Sequence, residues 1–132
     1  MGGLTLRCTE MQLGAVRLFV DDIVSARHFY SETLRLALKH DGSAFGYCVF
    51  ACGPVELVVE VVDPDAPPDD RSLVGRFSGV SFTVADIHTE RRRLGGLGVA
   101  FPGEPELQPW GGWLATFLDP SGNALQLAQR AD

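Results

Sequence analysis

Two carboxylates, Glu56 and Glu60, stand four residues apart in the run VELVVEVV. The run is β-branched and alternating, so in a strand both side chains leave the same face. Such a pair can recognise a cation or a hydrogen-bonding ligand. In an apolar setting the pKa of Glu56 would rise, which suits a general base. Arg17, in the run AVRLFV, belongs on the same surface by the topology developed below. There it either closes an ion pair with a glutamate or helps to hold a ligand. Ser81 and Thr83 alternate in GVSFTV, and Gln126 sits in ALQLA; together they would orient a hydroxyl or an oxyanion. Trp110 and Trp113, in PWGGW, can stack on a planar or cationic molecule. One of the two is expected to serve as a core or dimer contact instead.

The other reactive side chains do not form a familiar centre. Cys48 and Cys52 lack neighbouring ligand types for zinc, and no histidine is placed to activate a thiol. With Cys8 they make an odd count, which suits reduced thiols in a cytoplasm. His28 and Glu32 share one helix face and read as a solvated pair. His40 falls near a turn at a strand end, and His88 in the first turn of a helix, exposed. Arg91, Arg92 and Arg93 read as a solvated helix face near its C-terminus. G-x-S-x-G, the P-loop and the dinucleotide fingerprint are absent.

Those side chains are positioned by a repeat. VRLFVDDIVSARHFY (16–30) and VSFTVADIHTERRRL (80–94) share five of fifteen positions at an offset of 64. Each copy reads as an alternating strand, an N-capping aspartate (Asp22, Asp86) and a helix. The first helix carries Ile23, Ala26, Phe29, Tyr30 and Leu34 at helical spacing. The second is shorter and stops at Gly95-Gly96. Three strand candidates follow each helix: LALKH, FGYCVFA and VELVVEVV, then VAF, WLATFL and ALQLA. PGEPELQPWGG and DPSGN separate the last three, and the acidic, proline-rich DPDAPPDDRS joins the halves as a connector without an element of its own.

The expected fold is therefore α+β, two βαβββ modules whose sheets curl side by side into an open barrel with the helices outside. The free faces line a central cup. Residues 1–12 read as a flexible leader and 13–132 as one domain: module one over about 13–63, connector over about 63–74, module two over about 75–132. Val16, Leu18, Val20, Val80, Phe82 and Val84 should face the helices. Ala15, Arg17, Phe19, Gly79, Ser81 and Thr83 should face the cup, with Glu56, Glu60 and Gln126 beside them.

The paired modules, the first helix with Val20-x-Asp22-Ile23 before it and Phe29-Tyr30 within it, and the closing DPSGN-A-LQL make the chain resemble the vicinal oxygen chelate superfamily. That superfamily includes glyoxalase I, extradiol dioxygenases, fosfomycin-resistance enzymes and bleomycin-resistance proteins. The resemblance runs from about Leu13 to Ala128. It implies four metal-ligand positions, which fall here on Ala15, Glu56, Gly79 and Gln126. Alanine and glycine have no donor side chain, so no metal and no other cofactor is expected.

The formal net charge of −6 argues against nucleic acid, and no apolar run is long enough to span a membrane. No signal peptide is read at the N-terminus, so a cytoplasmic location is expected. Three functions remain. The first is a bleomycin-resistance-like protein that binds a small molecule in the cup. The second is a glyoxalase-like lyase or isomerase using Glu56 as base. The third is a degenerate interaction module. The resemblance further implies a homodimer, which an open sheet edge would accommodate.

Overall fold

The computed structural model describes residues 11–132, so most of the expected leader, and Cys8, lie outside the described residues. The first module runs β1 (Ala15–Val20), α1 (Ile23–His28), β2 (Ala37–Gly42), β3 (Tyr47–Cys52) and β4 (Val55–Val61). After a helical turn, α2 (Pro68–Arg71), the second runs β5 (Phe77–Thr83), α3 (Ile87–Gly96), β6 (Glu106–Leu107), β7 (Trp113–Leu118) and β8 (Ala124–Gln129). The modules form two four-stranded sheets, ordered β1-β4-β3-β2 and β5-β8-β7-β6, which do not close into a barrel. In each, the first strand runs parallel to the last and the remaining neighbours are antiparallel.

Both helices begin as their sequences require. Asp22 accepts from the backbone N–H groups of Val24 and Ser25, and Asp86 from those of His88 and Thr89. Helix α1 then widens into a π-helical turn over Phe29–Thr33. That turn carries two aromatic rings into the core. Tyr30 packs against Phe50 of the first sheet, and Phe29 against Phe117 of the second. Helix α1 thus touches both sheets and does not simply cover the outside of its own. One continuous apolar core results, with Leu18, Val20, Phe50, Leu57 and Val59 from one module and Ile87, Leu94, Phe117, Leu125 and Leu127 from the other.

Two expected boundaries differ. Of VAF, only Ala100 pairs, in a single bridge to Leu118, while Val99 and Phe101 pack against the core. The edge strand is instead Glu106–Leu107, inside the segment expected to be a loop. Burial of the two apolar side chains took precedence over a ladder that Pro102 interrupts. The connector, expected to lack an element, contains the four-residue α2. Pro68 begins it, and Asp69 and Asp70 suit its first turn. Among the described residues no helix is long and apolar enough to cross a membrane.

Candidate functional site

β1 and β5 each form one edge of their sheets, and residues of both line the clefts between the modules. The end of β1 is tied to the second module by the turn before β8. Buried Asn123 donates to the Phe19 carbonyl at 2.8 Å and accepts from Gly75 N–H at 2.8 Å and Arg76 N–H at 3.3 Å. Asp119 accepts from Asn123 N–H and from the Tyr30 hydroxyl, the latter at 2.7 Å. Burial, then the Asp119 charge and hydrogen bond, push the Tyr30 phenol well above its ordinary pKa, so it stays a donor. This knot locks helix α1, strand β1 and the β7–β8 turn together. In the sequence, DPSGN reads as a turn and as part of a closing family motif, with no sign of these bonds.

Alternation holds in both first strands. Leu18 and Val20 are buried, with Val16, Val80, Phe82 and Val84 packed against the core. Arg17, Ser81 and Thr83 are exposed on the other face. On the first sheet Arg17 donates to Glu60 through Nε and through Nη2, the second at 3.0 Å. It also lies 5.1 Å from the Phe19 ring centroid. Pairing with Glu60 raises the Arg17 pKa above its ordinary value.

Glu56 does not stand free in an apolar pocket. It is ion-paired with Lys39, to which the sequence pattern assigns no role. The irregularity in β2 between Leu38 and His40 takes Lys39 out of simple register. His40 lies near Tyr47, with ring centroids 5.5 Å apart.

On the second sheet a polar row crosses three strands: Ser81 donates to Gln126 at 3.4 Å, and Gln126 to Thr116 at 3.5 Å. Trp113 is on the opposite side of β7 from Thr116. It shares its face with buried Ala115 and Phe117 and meets His88 edge-on at 4.9 Å. Trp110 remains about half exposed in the preceding turn.

The site residues are spread over three adjoining clefts, the first two of which share Cys52, Ser81 and Phe82. Arg17, Glu56, Gly79 and Ser81 line a cleft of about 420 Å³ between β1, β4 and β5, walled by Val16, Val80 and Phe82. Thr83 lines a neighbouring cleft with Leu34, Arg93 and Leu94. Gln126 lines a third with Thr116, Glu104 and Glu106. Cys52 stands on the wall shared by the first two, and burial pushes its thiol pKa up, away from the reactive thiolate.

The four positions matched to metal ligands do not suit a metal. Ala15 and Gly79 offer no donor, Glu56 is held by Lys39, and Gln126 bonds with Ser81 and Thr116. The register differs between modules as well. Ala15 pairs with Glu56, whereas Gln126 pairs with Ser81, because β5 bulges around Gly79 at a φ of 77°. Among the described residues no three His, Cys, Asp or Glu side chains cluster as a metal set would.

The profile of the Glyoxalase/Bleomycin resistance protein/Dioxygenase superfamily matches residues 12–127. The chain belongs to this superfamily. A solved member from Sphaerobacter thermophilus is similar at 25% identity and a TM-score of 0.77, covering 91% of this chain and 98% of its own. TnmS3, an antibiotic-binding protein from Streptomyces sp. CB03234, is similar at 29% identity and a TM-score of 0.72, with 92% and 97% covered. Lactoylglutathione lyase from Agrobacterium tumefaciens shares the fold at 19% identity and a TM-score of 0.72, with 92% and 95% covered. No curated protein matches the chain. Superfamily membership thus covers both binders and enzymes, and the choice between them rests on the site.

Proposed function

We propose that this superfamily member binds a small planar molecule in the cleft between β1, β4 and β5, without a metal and without turning the molecule over. The observation that carries this reading is the cleft's composition. Val16, Val80 and Phe82 line it together with three polar residues, Arg17, Glu56 and Ser81. A pocket that is mostly apolar with a few convergent polar groups suits orientation of a ligand. The likeness to the antibiotic-binding TnmS3 supports the same class. An enzyme using Glu56 as base is disfavoured because Lys39 already holds that carboxylate in an ion pair.

Native mass spectrometry of gently purified protein, with and without chelator, tests the reading. The expected species is metal-free, with or without an organic adduct, and a homodimer is the expected assembly. A stoichiometric divalent ion lost to chelator would overturn the metal-free site. If Glu56→Ala binds a captured ligand as tightly as wild type, the placement of the site at Glu56 is wrong. Turnover that survives chelator and disappears in Glu56→Gln would replace binding with catalysis.

A further inference from the structure

Beside the proposed cleft lies a smaller one, of about 170 Å³, where the end of β1 meets the start of β5. Arg17 and Ser78 line both, so the two adjoin. The smaller is below the usual 300–1,000 Å³ range for a whole drug-sized ligand, and its neighbour is within it. Its size suits one end of a ligand whose body occupies the larger cleft.

The chemistry of that end is set by Arg76. Arg17 is already neutralised by Glu60, and Glu56 by Lys39, so the first sheet's open face offers no spare carboxylate at these positions. Arg76 also lines the small cleft, and among the described residues it forms no ion pair. Asp21, at the end of β1, is bonded by Ser121 instead. The backbone of Arg76 is fixed at both its N–H, which Asn123 accepts, and its carbonyl, which receives the Ala124 N–H at 3.0 Å. The guanidinium therefore projects from an anchored base. Phe19, whose ring Arg17 overlies at 5.1 Å from the centroid, and Phe77 line the same cleft. A planar fork of donors beside aromatic rings is suited to a carboxylate, sulfonate or phenolate attached to a ring.

We infer that the ligand is an aromatic molecule bearing an oxyanion, with its ring system between Val16, Val80 and Phe82 and its charged group on Arg76. The inference rests on the binding reading above and names the ligand class for that site.

Two dyes with a common aryl-naphthyl body separate the possibilities. 1-Anilinonaphthalene-8-sulfonate carries the oxyanion, and N-phenyl-1-naphthylamine does not. Fluorescence titration of the full chain should show the sulfonate binding roughly tenfold tighter, the gain expected of a charge-assisted hydrogen bond. Arg76→Ala should remove that preference and leave the neutral dye unchanged, while Arg76→Lys restores part of it. Ser81→Trp, which fills the larger cleft, should weaken both dyes. Thermal unfolding checks that each variant is folded. Unchanged sulfonate affinity in Arg76→Ala overturns the anion end; if Ser81→Trp still blocks the neutral dye, the cleft reading survives. Failure of both dyes to bind, or indifference of both to Ser81→Trp, overturns the cleft reading and the inference with it.

Discussion

Glu56 shows how a neighbour can change the chemistry of one side chain. A lone carboxylate on an apolar strand face is a candidate base, but with Lys39 beside it the same carboxylate is a structural ion pair. Lys39→Ala should therefore free Glu56 and change ligand affinity more than it changes stability, since exposed ion pairs contribute only about 0–1 kcal/mol. Parallel binding titrations and urea melts would read both. Tyr30 is the opposite case, because its hydroxyl is buried on Asp119. Tyr30→Phe removes a donor from a buried carboxylate and should cost about 1–3 kcal/mol in urea unfolding. Asp41 and Asp86 titrate the fold. Hydrogen bonds from Ser43, then Arg27, hold Asp41 well below its ordinary pKa, and the Thr89 and His88 N–H groups hold Asp86 below. Depressed folded-state values mean that their contribution is complete above the ordinary carboxylate pKa and is lost as pH falls through the folded values. Asp86→Asn should flatten the acid limb of a stability profile, and an unaltered limb would count against the cap.

Among the elements, strands were the most legible. The expected β7 run, WLATFL, is the observed strand, and ALQLA falls short of β8 by one residue. Their alternating apolar positions state the buried face directly. Irregular backbone was not legible, since a bulge or a π-turn leaves no periodic trace. The β2 irregularity that presents Lys39 and the β5 bulge at Gly79 both belong to this class. Gly79 has a φ of 77°, and a methyl group added there would meet nothing closer than the Phe77 ring at 3.7 Å, so Gly79→Ala tests conformation rather than space. It should cost about 1–2 kcal/mol and disturb the register of Ser81 with Gln126, visible as loss of amide protection along β5. Gly112 is limited by space instead: a Cβ there would collide with the Gln129 carbonyl and overlap the Trp110 ring. Gly112→Ala should therefore disrupt the start of β7 and shift Trp110 fluorescence.

Across the whole molecule, the repeat is two sheets that share a core through helix α1 and are tied by Asn123 at the β1 end. Asn123→Ala should strand the Phe19 carbonyl and the Gly75 and Arg76 N–H groups together, a loss of roughly 3 kcal/mol or more. It should also loosen the junction cleft, so ligand affinity and melting temperature fall together. The Glu56 and Thr83 clefts adjoin through Cys52, Ser81 and Phe82, and Ser81 bonds Gln126, which lines the third.

From the sequence alone come the two modules, the helix caps, the core faces of β1 and β5, and the missing donors at Ala15 and Gly79. All of these follow from local pattern or side-chain identity, which tertiary structure does not alter. Tertiary structure alone decided the partners. Lys39 reaches Glu56 from a strand seventeen residues earlier, and Asn123 reaches Phe19 across 104 positions. Among the described residues Arg76 forms no ion pair where it lines the small cleft. Charge compensation depends on distance in space, and a one-dimensional pattern contains no such distance.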